Sequence, residues 1–132
     1  MILVTTSRKP LPEIRTLSKD LAFALGGKYV PRGKTGLYDA IGADDAVIIV
    51  SRRARLFLLE LFINSKPEVE IAFASYTAGK REGVLLKGLR TGNQTVYESL
   101  KRYVDVLPSE EGVSMLSFDG AQRKRYVLTL RE

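Results

Sequence analysis

The chain has 132 residues, and 21 basic against 15 acidic side chains give it a formal net charge of +6. Apolar residues make up 45% of the sequence, which is enough for a packed core, and the positive charge suits an anionic partner such as nucleic acid, an acidic protein or an anionic membrane. The chain contains no cysteine and no histidine, which excludes disulfides, thiolate nucleophiles and the usual zinc sites and removes the commonest general base.

Alternation of apolar segments with turn residues predicts the elements in chain order. Ile2–Thr6 is rich in β-branched residues and predicts a strand. A helix is predicted from Pro12 to Gly26-Gly27, because apolar residues recur between them at helical spacing. Proline is tolerated in the first turn of a helix, and glycine commonly ends one. Further strands are predicted over residues 28–30, 46–50, 56–63, 69–76, 83–87, 113–118 and 126–130, and further helices over residues 37–41 and 96–107.

These elements predict an α/β fold with mixed strand pairing. No composition shift marks a linker, so we expect one domain over residues 1–132. A strand, a polar basic loop and a helix at the N-terminus recur as strand 83–87, loop 88–94 and helix 96–107. The recurrence is compatible with an internal duplication and equally with coincidence. The apolar segments are too short to span a membrane, and no signal peptide precedes Ile2, so we expect a cytoplasmic protein with no membrane partner.

The segment from Gly27 to Thr35 resembles a phosphate-binding loop but does not match one. Five residues separate Gly27 from Gly33, where four are needed. Pro31 also removes a backbone N–H that would contact phosphate. The acidic residues form no pair suited to acid–base chemistry. We therefore expect no enzyme activity, no catalytic residue, no metal and no cofactor.

Basic side chains gathered in the predicted loops are the strongest functional signal. Any single cluster is accounted for by a solvated surface, but loops between buried strands are well placed to contact phosphates. Tyr38 and Tyr76 border basic loops and are candidates for stacking on bases. The predicted RNA-binding residues are Thr5, Thr6, Ser7, Arg8, Lys9, Arg15, Arg32, Lys34, Arg52, Arg53, Lys80, Arg81, Lys87 and Arg90, and a further basic run is Arg123-Lys124-Arg125.

Parallel pairing of the first three strands would bring three of these clusters together. If residues 2–6, 28–30 and 46–50 are parallel, their carboxyl ends meet at one edge of the sheet. Ligands of open α/β sheets usually bind at that edge. Ser7-Arg8-Lys9, Arg32-Gly33-Lys34 and Arg52-Arg53 would then be neighbours. The alternative is that these side chains point apart and only keep the protein soluble.

The opening Ile2-Leu3-Val4-Thr5-Thr6-Ser7-Arg8-Lys9-Pro10 is similar to the start of the Brix domain. The segment from Arg15 to Ala22 and the pair Arg32-Gly33 also resemble that family. The resemblance covers about the first 50 residues clearly and is topological beyond them. One departure is Ser65-Lys66-Pro67-Glu68, which stands where longer members carry Gly-Pro-Thr, and the chain is also short for the family.

The resemblance implies a domain of two similar halves, each related to the anticodon-binding domain of class II tRNA synthetases. It implies an archaeal ribosome-biogenesis factor that binds ribosomal RNA precursor during processing and subunit assembly, with ribosomal or ribonucleoprotein proteins as further partners. Two alternatives remain open: a protein–protein adaptor within a ribonucleoprotein, and an RNA-modifying enzyme.

Overall fold

The computed structural model describes residues 2–131. Its strands are β1 (Ile2–Thr6), β2 (Lys28–Tyr29), β3 (Ala46–Arg53), β4 (Leu56–Ile63), β5 (Lys66–Lys80), β6 (Leu89–Thr91), β7 (Val106–Pro108), β8 (Met115–Asp119) and β9 (Lys124–Leu130). Its helices are α1 (Pro12–Leu25), α2 (Leu37–Ile41) and α3 (Gln94–Leu100). None of the helices within residues 2–131 is long and apolar enough to cross a membrane.

The strands form one nine-stranded sheet in the order β2-β1-β3-β4-β5-β9-β8-β6-β7. β1 pairs in parallel with β2 and with β3, whereas β3, β4, β5, β9 and β8 pair with one another antiparallel. The predicted α/β class with mixed pairing is confirmed, and so is the parallel arrangement of the first three strands.

The 15-residue strand β5 connects the two ends of the sheet. Its first part, Lys66 to Phe73, pairs with β4, and its last part, Phe73 to Lys80, pairs with β9. The partner changes at a register irregularity between Phe73 and Ser75. The sequence predicted a strand over residues 69–76 only, because Ala78 and Gly79 have low strand propensity and pairing with β9 carries the strand further.

The main core lies on the sheet face that α1 and α3 cover. α1 places Ile14, Leu17 and Leu21 at 1–2% exposure against this face, as the helical spacing predicted. Gly26 ends α1 in the left-handed conformation at φ 66°, where a side chain would be strained. A smaller cluster on the other face packs Ile41 of α2 against Val47, Ile49 and Phe62.

A strand–helix–strand unit with parallel strands occurs twice. β1, α1 and β2 form the first unit, and β6, α3 and β7 form the second. The two units differ in their next partner, because β1 pairs with β3 in parallel and β6 pairs with β8 antiparallel. The predicted recurrence is therefore present in the topology. The implied relation to anticodon-binding domains stays a prediction.

Three predicted boundaries in the second half were wrong. Residues 83–87 form no strand, because Gly83 and Gly88 adopt positive φ on either side of them and the strand begins at Leu89. The helix spans Gln94–Leu100, with the Asn93 side chain as its cap instead of Thr95, and β7 takes the end of the predicted helix by pairing with β6. The hairpin turn lies at Gln122 and Arg123 and not at Asp119-Gly120.

Candidate nucleic-acid interface

The carboxyl ends of β1, β2 and β3 meet at one edge of the sheet, which we call the rim, because β2 and β3 are both parallel to β1. The rim comprises Ser7–Lys9 after β1, residues 30–34 after β2, and Arg52 and Arg53 at the end of β3. β5 runs the same way as β3 but passes this edge at Phe73, so Lys80 and Arg81 at its end lie beyond the rim. Helix α1 also begins there, shortly after Lys9.

An open groove of about 370 Å³ lies at the rim on the α2 side of the sheet. Ser7, Arg8, Arg32, Arg52 and Arg53 all line this rim groove, together with one acidic residue, Glu60. Residues distant in sequence therefore share one surface, as parallel pairing predicted. Whether they contact RNA stays a prediction.

Arg32 is buried, at 8% exposure, and holds the rim together from inside. Its Nη1 donates to the backbone oxygen of Thr6 at 3.0 Å, and its Nε donates to the backbone oxygen of Thr35 at 2.7 Å. These two bonds join the loop after β2 to the end of β1. Arg32 contributes charge to the groove, but its contacts make it a positioning residue.

Among the predicted hydroxyl donors, Ser7 is the one that reaches the surface. Thr5 and Thr6 are 3% and 0% exposed, and the Thr6 hydroxyl donates to the backbone oxygen of Ser7 at 2.9 Å. Ser7 is half-buried, and its N–H donates to the backbone oxygen of Val50 at 3.0 Å. The two threonines thus shape the end of β1 from within.

The exposed cations of the rim differ in how firmly they are held. Arg52 lies over the ring of Phe57, with its guanidinium carbon 5.3 Å from the ring centroid, and its Nε donates to the backbone oxygen of Ala54 at 3.4 Å. Arg8, Lys9 and Arg53 are exposed. For these three, no hydrogen bond or ion pair through the side chain occurs within residues 2–131. Their charges are therefore available to a ligand.

Several predicted contacts lie outside the rim groove. Lys34 is exposed in the loop after β2, and Arg15 is exposed on α1, where its Nη2 donates to the Pro10 backbone oxygen at 3.5 Å. Lys87 is exposed in the loop before β6, and Arg81 is half-buried. Lys34, Arg15 and Lys87 carry positive charge elsewhere on the surface, whereas Nε and Nη1 of Arg81 are buried. The role of all four residues in RNA binding also stays a prediction.

A second groove, which the sequence did not predict, lies on the other face of the sheet. It has a volume of about 480 Å³ and runs between α1, the end of β5 and the β8–β9 turn. Tyr76, Lys80, Arg123 and Lys124 line this α1 groove. The run Arg123-Lys124-Arg125 was the available signal, but the turn was predicted at the wrong residues.

The sequence of this chain is similar to that of a known Brix-domain protein. The chain is 33% identical over 81 residues to a probable Brix domain-containing ribosomal biogenesis protein of Archaeoglobus fulgidus, a match over 61% of this chain and 53% of that protein. The resemblance to the Brix-domain family is confirmed. The chain spans about half the length of this curated Brix-domain relative. No protein-family model matches it.

Solved structures have the same fold over almost the whole chain. An archaeal Imp4-like protein aligns with a TM-score of 0.63 and 22% identity over 98% of this chain and 97% of its own. A probable ribosomal biogenesis protein of Aeropyrum pernix aligns with a TM-score of 0.59 and 18% identity over 99% of this chain and 95% of its own. The likeness covers the second half, where the sequence resemblance to Brix domains was only topological.

Within this Brix-like fold, the contacts of Arg90 are structural. It is 8% exposed, and its Nη2 lies 3.1 Å from the buried carboxylate of Asp119, which also accepts from Arg125 Nε at 2.9 Å. Although burial of Asp119 would raise the pKa of its carboxyl, hydrogen bonds from Arg125, the Leu86 N–H and Arg90 outweigh that effect and lower the pKa. This arrangement fixes the loop before β6 and leaves Arg90 little access to phosphate.

Proposed function

We propose that the chain is a ribosome-biogenesis factor that binds ribosomal RNA precursor through the rim. The observation that carries the proposal is the rim groove, in which Ser7, Arg8, Arg52 and Arg53 from separate segments line one surface. The names of the Archaeoglobus relative and of the solved structures support the ribosome-biogenesis role. The role as a cytoplasmic, non-enzymatic assembly factor is part of the same proposal.

Electrostatics favour a polyanion at this surface. The chain carries a net charge of +6, and Glu60 is the acidic side chain among the described residues that line the rim groove. When basic side chains of such a surface bind a phosphate backbone, counterions are released from that backbone. The affinity therefore rises as the salt concentration falls. Because Arg8, Lys9 and Arg53 are exposed, they can reach phosphates without breaking contacts that hold the fold.

The salt dependence of RNA binding tests the proposal. We expect a transcript of an archaeal ribosomal RNA precursor to bind the purified chain with a log affinity that falls linearly with log salt. Changing Arg8 and Arg53 together to Ala should reduce the slope by about two units, one for each phosphate contact, without unfolding the chain. Thermal unfolding followed by circular dichroism checks the fold.

The matched control removes the same charge at the opposite edge of the sheet. Lys101 and Arg102 are exposed and lie with Ile2 and Asp45, next to the amino ends of β1 and β3. Changing both to Ala should leave the slope within about half a unit of the parent value. Equal slopes for the two double variants would show that the rim is not the site, and absence of salt-sensitive binding by the parent would overturn the function.

An adaptor role has one observation in its favour. The loop before β6 exposes Val84, Leu85 and Leu86, with Val84 at 78% exposure. Adjacent exposed apolar residues are typical of protein–protein contacts. Binding to a ribosomal protein that is insensitive to salt, and that is lost when Val84 and Leu85 are changed to Ser, would favour the adaptor over the RNA-binding factor.

A further inference from the structure

The α1 groove combines an aromatic wall with cations at its mouth. We infer that it holds one unpaired nucleotide of the bound RNA, with the base against the ring of Tyr76 and the adjoining phosphate at Lys80 and Arg123. The inference rests on the proposed function and adds a preference for RNA with an unpaired base.

The ring of Tyr76 is fixed in place by three other rings. It packs edge-on against Phe57 and Phe73, with centroids 5.6 and 6.4 Å away, and lies 6.2 Å from the ring of Tyr126 at 33°. Tyr76 remains half-buried and lines the groove. A ring held in this way loses little freedom when a base stacks on it, and proteins commonly bind unpaired bases by such stacking.

The groove has room for a base beside this ring. Its volume of about 480 Å³ lies within the range of about 300–1,000 Å³ that is usual for small-ligand sites. Ala78 lies two residues after Tyr76 on the same face of β5, so only a methyl side chain lines the groove at that position beside the ring.

The cations at the groove differ in their partners. Lys124 is engaged, because its Nζ lies 3.5 Å from the carboxylate of Asp20. Lys80 and Arg123 are exposed and make no ion pair within residues 2–131. Glu13 is the acidic residue that lines the groove alongside these cations. Two cations are thus available for a phosphate.

The turn that carries Arg123 is held in an uncommon conformation. Gln122 and Arg123 have φ of 56° and 58°, values that favour Asn or Gly in a two-residue hairpin turn. The Lys124 N–H donates to the Ala121 oxygen at 3.2 Å, and the Arg81 N–H donates to the Arg123 oxygen. These bonds fix the backbone of Arg123 next to the end of β5, close to Lys80.

The α1 groove and the rim groove lie on opposite faces of the sheet and approach each other at the start of α1. Helix α1 begins shortly after Lys9 of the rim, and its Glu13 and Thr16 line the α1 groove. An RNA whose paired backbone lies along the rim groove and passes over the start of α1 can therefore place an adjoining unpaired residue against Tyr76. A base inside a duplex is covered on both faces and cannot do so.

Paired variants of Tyr76 test the inference. We expect Tyr76→Leu to weaken binding of a single-stranded RNA octamer about 5- to 150-fold, the loss for one stacked base, and to leave binding of a blunt RNA duplex unchanged. Tyr76→Phe keeps the ring and should bind both RNAs like the parent. Tyr103→Leu, which changes a half-buried tyrosine near the opposite edge, is the matched control.

A second measurement covers the case in which Tyr76→Leu does not fold. Changing Lys80 and Arg123 together to Ala should lower the salt slope for the single-stranded octamer by about 0.7 units, the value for one phosphate contact on a single strand. If Tyr76→Leu folds and binds the octamer with the parent affinity, or if both RNAs weaken equally, the inference is wrong. The double change of Arg8 and Arg53 to Ala distinguishes failure of this inference from failure of the proposed function. If that rim variant weakens RNA binding and the Tyr76 variant does not, the inference is wrong and the proposed function stands.

Discussion

The Nη2 of Arg90 lies 3.1 Å from the Oδ1 of Asp119, whose side chain is fully buried. The same carboxylate accepts from Arg125 Nε and, through Oδ2, from the Leu86 N–H, both at 2.9 Å. Three segments therefore meet at one buried charge. Such a group stabilises the fold only while its partners remain, because an unpaired buried charge is costly.

Replacing Asp119 with Asn should destabilise the chain by about 3–5 kcal/mol at pH 7, because Arg90 would remain buried without its counter-charge. The folded pKa of Asp119 is lowered, so its contribution is present above the unfolded pKa of about 3.9 and is lost as the pH falls through the lower folded value. The difference in unfolding free energy between parent and variant should therefore narrow below about pH 4. Urea unfolding at pH 7 and pH 3 measures it.

The control for Asp119→Asn is an exposed ion pair. Lys101 Nζ and Glu98 Oε2 lie 2.7 Å apart with both side chains about half exposed. Glu98→Gln should change the unfolding free energy by less than about 1 kcal/mol. An Asp119→Asn penalty that is the same at both pH values would mean that the charge of Asp119 contributes nothing.

Tyr126→Phe removes a hydrogen bond between elements that are far apart in sequence. The Tyr126 hydroxyl donates to the Asp20 carboxylate and so links β9 to α1. We expect a loss of about 1–3 kcal/mol in unfolding free energy, because a buried carboxylate oxygen would keep only its longer contact with Lys124 Nζ, at 3.5 Å. Leu107→Ala, at 58% exposure, should change the value by less than about 0.5 kcal/mol and serves as the control.

The same tyrosine gives a prediction for alkaline pH. Burial, followed by the hydrogen bond to Asp20 and its charge, raises the pKa of Tyr126. A raised folded pKa means that the stabilisation is present below the unfolded value of about 10 and is lost as the pH rises towards the folded value. Absorbance titration of the folded parent should show at least one of its six tyrosines still protonated above pH 10.

Local signals predicted the first half well. Pro12 and Gly26 bounded α1, and the wholly apolar segment 46–50 identified a covered strand whose parallel pairing then predicted the rim. Sequence spacing could not reveal that Arg32 is buried, because its partners are backbone oxygens of Thr6 and Thr35. Only the folded loop brings those atoms within reach.

The second half was predicted less well because tertiary pairing overrides local pattern there. The apolar residues before Lys87 resemble a strand, yet their loop is fixed by the bond from Leu86 to the Asp119 carboxylate. Leu107 continues the helical spacing of α3, but it lies in β7 and pairs with Arg90 of β6. Likewise, Arg90 looks like a surface cation in sequence, and only the position of Asp119, 29 residues later, makes it structural.

The expectation of one domain gives a prediction of its own. The main core contains Val4 and Val50 from the first half as well as Phe118 and Leu128 from the second. If these form one cooperative unit, Leu128→Ala should cost about 2–5 kcal/mol and lower the unfolding midpoints of both halves together. Hydrogen exchange measured by mass spectrometry reports the halves separately. Peptides from residues 2–53 that keep the parent protection would indicate two independent domains.

The last prediction separates charge that holds the rim from charge that contacts RNA. Arg32→Ala and Arg53→Ala each remove one positive charge from the lining of the same groove. Arg32 is 8% exposed and donates to two backbone oxygens, whereas Arg53 is exposed at the end of β3. We expect Arg32→Ala to cost about 1–3 kcal/mol of unfolding free energy and to weaken RNA binding with an unchanged salt slope. Arg53→Ala should leave stability within about 0.5 kcal/mol and reduce the slope by about one unit. Urea unfolding and binding of the ribosomal RNA precursor transcript at several salt concentrations give both quantities for each variant.

Lys cannot reproduce the two directed bonds of the guanidinium, so Arg32→Lys should also be destabilised although its charge is retained. If instead Arg32→Ala alone lowers the slope, the buried guanidinium contacts phosphate directly and the loop after β2 must open when RNA binds.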